Sequence, residues 1–200
     1  MHRQPIPPEQ LMRDRRVLMT TVARTCIDLT RESGLAAGVV TTDDALHRGL
    51  TTVEELSDLY HSLRGRAGLS SGSALLDEVS PLSESPLESL SRLAMRRLSV
   101  RPEQQITLLA PDGRFLARAD FFWRAFGVVG EADGRSKYTD DELWNEKVRE
   151  ARLCDAGLLV VRWDWSVARR PPELCRRIER TIEHARRLRL AGHIPQFRTA

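Results

Sequence analysis

Apolar positions near the start of the chain recur with a helical period. Val22, Ala23, Cys26, Ile27 and Leu29 are spaced close to 3.6 residues behind Thr21, which predicts a capped helix over Val22 to Glu32. A weaker helical stretch covers Ala36 to Arg48 and ends at Gly49. Thr52 and Glu55 form a capping box ahead of Val53, Leu56, Leu59, Tyr60 and Leu63, one apolar face that closes near Gly65. A glycine- and serine-rich run, Gly68 to Ser73, leads into a short turn over Ala74 to Val79. Residues 1–80 therefore read as a small helical region, and nothing in them suggests catalysis.

Ser80 to Ser85, with Pro81 between serines, reads as a boundary, and the pattern after it differs. Ser85, Pro86 and Glu88 supply an N-cap, a first-turn proline and a third-position acid, opening a helix to about Leu98. Three strand-like runs follow, Gln105 to Ala110, Arg114 to Trp123 and Val128 to Asp133, separated by turns at Pro111–Gly113 and Arg124–Gly127. Thr139 and Glu142 box the start of a helix reaching Asp155. Leu158 to Trp163 reads as a buried strand, and Pro171 begins a terminal helix. Helix, three-strand meander, helix, strand, helix is a mixed α/β layer over residues 81–200 with a crossover into its last strand. Trp123, Trp144, Trp163 and Trp165 are expected in its core, the last two on one strand face.

Composition narrows the class. Of 200 residues, 41% are hydrophobic and 30% charged, which fits a folded globular chain rather than a disordered tail or a coiled coil. No apolar run approaches a membrane span, and the N-terminus lacks the apolar core of a secretory signal, so a cytoplasmic protein without membrane contact is expected. Cys26, Cys154 and Cys175 have no metal spacing and are expected as buried thiols. The 31 basic residues include only two lysines, Lys137 and Lys147; arginine's planar fork favours phosphate oxygens. Basic residues crowd the C-terminal end, where Arg169, Arg170 and Arg176 are candidate contacts to a DNA backbone, alongside Arg135 and Tyr138.

The candidate chemistry lies on the meander. Residues two apart share a strand face, so Glu131 and Asp133 project together, and the hairpin brings Asp120 opposite the third strand. Converging carboxylates repel unless a cation relieves them, and oxygen ligands suit Mg²⁺ or Mn²⁺, which activate water and polarise a phosphodiester. Lys137 is placed to steady the charge developing at phosphorus, and Glu88 either completes its capping box or faces the acids. The bland alternative is a solvated polar turn at Glu131 to Gly134.

Asp120, a short hairpin and Glu131-Ala132-Asp133-Gly134 resemble the core of the PD-(D/E)xK restriction-endonuclease-like superfamily. The run from Ser85-Pro86-Leu87-Glu88 through Arg118-Ala119-Asp120, Lys137-Tyr138 and Leu143-Trp144-Asn145-Glu146-Lys147 to Ala156-Gly157 is similar to uncharacterised actinobacterial proteins related to very-short-patch-repair endonucleases. Met19 to Leu29 resembles the middle segment of the same proteins, described as AbiEi-type antitoxin-like regulators of type IV toxin–antitoxin systems. The resemblance implies a restriction-endonuclease-like mixed sheet flanked by helices. It makes Asp120 and Glu131 metal-binding acids and Glu88 an accessory acid, with DNA as partner. The superfamily's lysine two residues after the second acid is replaced by Asp133, so either Lys137 substitutes for it or Asp133 is a third ligand. The activity implied is phosphodiester hydrolysis, and the alternative is a non-catalytic DNA-binding antitoxin-like regulator. The helical N-terminal region is then a packing or protein-partner module, and homo-oligomer formation stays open. Relatives carry an N-terminal winged helix, which this chain is expected to begin too late to hold whole.

Overall fold

A computed structural model describes residues 6–63, 70–134 and 140–200. Internal contacts divide the chain into two compact units, 1–89 and 90–200, so the division falls inside a helix rather than in the serine-rich stretch before it. Among the described residues no helix is long and apolar enough to cross a membrane.

The N-terminal unit opens with a two-stranded hairpin that the hydrophobic pattern does not announce, β1 (Leu11–Asp14) paired antiparallel with β2 (Val17–Thr20). Four helices follow: α1 (Val22–Ser33), α2 (Leu35–His47), α3 (Val53–Ser62) and α4 (Ser70–Glu78). The caps read from sequence are present. Thr21 accepts from the Arg24 amide, and Thr52 and Glu55 complete a reciprocal capping box. Cys26, Ile27, Leu56 and Leu63 form the core of this unit, and α2 crosses α1 closely because Gly38 lies against Thr30, where any Cβ would collide.

The C-terminal unit is built on a five-stranded mixed sheet in the order β6-β5-β4-β3-β7. The strands are β3 (Glu103–Leu109), β4 (Phe115–Trp123), β5 (Val128–Ala132), β6 (Leu159–Trp163) and β7 (Arg198–Thr199). The first three make the expected antiparallel meander, and β6 joins β5 in parallel after the crossover helix α6 (Asp140–Asp155). Helix α5 (Pro86–Met95) precedes the sheet, and a short α7 (Trp165–Ala168) and the long α8 (Pro171–Leu190) follow it.

Adjacent positions on β4 and β5 serve opposite faces. Phe122 pairs with Val129 in a core that also holds Leu108, Ala117 and Leu153 of α6. Phe121 pairs with Gly130 on the other face, where Phe121 and Trp163 pack with ring centroids 5.6 Å apart. The Trp163 indole donates to Ser91 Oγ of α5 at 2.7 Å, and the Cys175 thiol of α8 lies 3.5 Å from the Ala94 carbonyl, which ties both helices to this side. Trp123 is equally buried, its indole bonded to the Val100 carbonyl at 3.1 Å.

Several expectations are corrected here. Trp163 and Trp165 do not share a strand face, because Asp164 accepts from the Ser166 and Val167 amides and starts α7 at once. Trp144 is 67% exposed on α6 and is not a core residue. Cys154 is exposed, whereas Cys26 and Cys175 are buried. Strand β7 brings the C-terminal segment back to the edge of β3, with Phe197 edge-on to Phe122 at 5.2 Å. Arg124 braces it, donating from Nε and Nη2 to Glu103 at 2.8 and 2.7 Å and from Nη1 to Thr199 Oγ1 at 2.7 Å.

Two predictions follow from this packing. A Cβ on Gly130 would stand 2.8 Å from Trp123, 2.9 Å from Trp163 and 3.1 Å from Phe121. Gly130→Ala should therefore cost about 1–3 kcal/mol in denaturant unfolding, as overpacking does. The bonds from Arg124 hold the Glu103 carboxyl below its ordinary value near 4.5. A depressed acid contributes stability above its unfolded value and loses it as pH falls through its folded value. Acid titration of the melting temperature should thus be shallower below about pH 4.5 in Glu103→Gln than in wild type.

Candidate functional site

The site grows out of the point where β4 and β5 part. The last recorded pair, Phe121 with Gly130, puts Asp120 and Glu131 one step further along neighbouring strands. Beyond that pair a side chain replaces the backbone partner, since the Ala132 amide donates to Asp120 Oδ2 at 2.9 Å. On the other side of β5 the parallel ladder aligns Glu131 with Arg162 and Ala132 with Trp163, and the Asp133 amide extends it by donating to the Trp163 carbonyl at 2.9 Å. Asp120 and Glu131 thus occupy facing positions on β4 and β5, with Asp133 just past the end of β5.

Glu131 meets two guanidinium groups there. Its residue is only 6% exposed. Arg162, its register partner on β6, donates from Nε to Oε2 at 2.6 Å. Arg149 of α6 straddles the carboxylate, donating from Nη2 to Oε2 at 3.0 Å with Nη1 2.9 Å from Oε1. The second contact is off the hydrogen-bond axis, so Oε1 is buried beside a positive charge without a hydrogen-bond partner. Arg162 also donates from Nη1 to Glu150 Oε2 at 2.6 Å, so cation and anion alternate from Arg149 through Glu131 and Arg162 to Glu150. A carboxylate removed from water needs such compensation, and the parallel register with the crossover helix delivers it.

This arrangement bears on the expected Mg²⁺ or Mn²⁺ site. Among the described residues of the site, the unsatisfied Oε1 is the feature that suits an added ligand. A divalent cation on it, however, would press against the Arg149 guanidinium, and the other oxygen already accepts two charged bonds. As arranged, Glu131 does not fit a metal ion. Among the described residues no group of three His, Cys, Asp or Glu side chains is disposed to hold one.

The other candidates divide. Glu88 serves its helix start: Oε1 accepts from Ser85 Oγ at 2.7 Å and Oε2 from the Glu84 amide at 3.0 Å. Lys137, Arg135, Tyr138 and the capping Thr139 lie outside the described residues. Arg169, Arg170 and Arg176 are exposed at α7 and the start of α8. Arg169 lies over the Trp165 ring at 5.6 Å, Arg170 pairs with Glu173 at 2.6 Å, and Arg176 Nε donates to the Pro172 carbonyl at 3.2 Å. Arg149 and Glu150 are not among the sequence candidates, and Arg162, counted there only with the basic C-terminal residues, aligns with Glu131 once parallel pairing is drawn.

Removing the anion leaves two cations facing each other, so Glu131→Gln should lower the unfolding free energy by about 1–3 kcal/mol. That is less than for a fully buried pair, because both arginines keep access to water. A lower denaturant midpoint with unchanged slope is the expected signature.

Two proteins of Mycobacterium tuberculosis are similar to this chain: the uncharacterized protein MT2308 of strain CDC 1551 / Oshkosh and the uncharacterized protein Rv2248 of strain ATCC 25618 / H37Rv. Each is 28% identical over 172 residues. The similarity covers 84% of this chain and 63% of each relative, so the chain spans somewhat less than two thirds of their length. No family profile and no solved structure matches it.

Proposed function

We propose that the C-terminal unit is a restriction-endonuclease-like domain that binds DNA through its backbone without hydrolysing it, the non-catalytic alternative of the sequence reading. The observation that carries the non-catalytic part is the clamp of Arg149 and Arg162 on Glu131, which supplies from the chain's own side chains the positive charge that a metal would bring. The order of elements, helix, antiparallel meander, crossover helix and parallel strand, supports the nuclease-type fold. DNA contact is supported by the outer side of α8, where Arg176, Arg177, Arg180 and Arg187 are exposed. A domain of this kind suits the antitoxin-like regulatory role implied by the resemblance.

A second reading, divalent-metal hydrolysis at Asp120 and Glu131, is favoured by one feature, the Glu131 Oε1 that lacks a hydrogen bond. That reading requires Arg149 to leave Oε1, which its Nη1 approaches to 2.9 Å.

One pair of assays separates the readings. Duplex DNA should bind with affinity that falls steeply as salt rises, and Arg176→Glu with Arg180→Glu should weaken binding by about tenfold or more. Supercoiled plasmid should stay intact in Mg²⁺ or Mn²⁺. Nicking that Asp120→Ala abolishes would replace the first reading with the second, and failure to bind DNA at low salt would sink both.

A further inference from the structure

Beyond that reading, the N-terminal unit carries a surface of its own. A cleft of about 620 Å³ opens between the β1–β2 hairpin, the start of α1 and α3. Its floor is apolar, formed by Val22, Leu59, Leu50 and Met12, the last two 49% and 41% exposed. The apolar surface continues out of the cleft along one face of the hairpin. Met12 is paired with Met19 and Asp14 with Val17, and directly paired residues project together, so Met19 and Val17 extend the strip. Both are exposed, Val17 at 60%.

The charged residues described in the cleft lining are all acidic, while Arg15 and Arg16 stand exposed at the hairpin turn. Glu9, Glu55 and Asp58 line the cleft, and among the described residues no lysine, arginine or histidine does, in a chain where basic residues outnumber acids by 31 to 28. Asp14 adds a carboxylate to the hairpin face, while Arg13 pairs with Leu18 on the opposite face. Glu55 Oε2 also accepts from Thr51 Oγ1 at 2.8 Å. Exposed methionines on a two-stranded ribbon offer an adaptable apolar contact, and a strip longer than the cleft itself suits a chain segment better than a small ligand.

We propose that this acid-rimmed strip docks a basic amphipathic segment of a partner polypeptide, its apolar side chains on Met12, Met19 and Leu50 and its arginines or lysines on Glu9, Asp14 and Asp58. Charge complementarity gives the segment its sign, and the groove gives it an amphipathic face, as in other helix-in-groove contacts.

The test uses the full chain with isotope-labelled methionine methyls and a synthetic helical peptide carrying leucine on one face and arginine on the other. Titration should shift the Met12 and Met19 methyl signals and leave that of Met95, buried in the C-terminal unit, in place. Leu50→Glu and Asp58→Lys, both at exposed positions, should each weaken binding by about tenfold with an unchanged circular dichroism spectrum. Binding should also weaken as salt rises. The proposal is overturned if a peptide of the same composition with its leucines dispersed binds equally well, if the two substitutions have no effect, or if neither methyl signal moves. It is also overturned if the free chain self-associates in a way that Leu50→Glu abolishes, since the occupant would then be a second copy.

Discussion

A carboxylate that a fold withdraws from water has to find positive charge, and the end of β5 is organised by that need. Glu131 sits where an antiparallel neighbour diverges on one side and a parallel neighbour begins on the other. The divergence is closed by Asp120 on the Ala132 amide, and the parallel strand brings Arg162 into register. The crossover helix that parallel pairing requires then places Arg149 and Glu150 over the same point. Topology and electrostatics thus meet in one cluster, whose least exposed charge, Glu131, is held by two cations.

The sheet can bring these groups together because its own packing is tight on both faces. Gly130, next to Glu131, leaves room for Trp123, Trp163 and Phe121 on one face, while Phe122 and Val129 fill the other. Trp163 ends β6 and is fixed by Ser91, which holds the register that sets Arg162 beside Glu131. The positive charge that a metal would bring to Glu131 is in this way supplied by arginines.

Much of this was legible before any coordinates. Capping at Thr21, Thr52 and Ser85 and the strand-like runs separated by turns at Pro111–Gly113 and Arg124–Gly127 are local signals, and the elements they mark lie where expected. Adjacency of Asp120 and Glu131 was legible for the same reason, because one short hairpin joins them. The hairpin of β1 and β2 was not, since its exposed Val17, Leu18 and Met19 lack the alternation that a half-buried strand displays. Nor was β7, a two-residue strand held by tertiary partners, or α7, which a single aspartate starts where the strand was expected to continue. The arginine clamp lies 18 and 31 residues from Glu131 in sequence, a separation that local spacing does not report.

The most direct measurement is a crystal structure of the chain grown with Mn²⁺ and read at the manganese absorption edge. Both guanidinium groups should remain within hydrogen-bond distance of Glu131, with no anomalous peak between it and Asp120. A manganese peak bridging the two carboxylates, with Arg149 swung away from Oε1, would contradict the central claim that this site is neutralised from within.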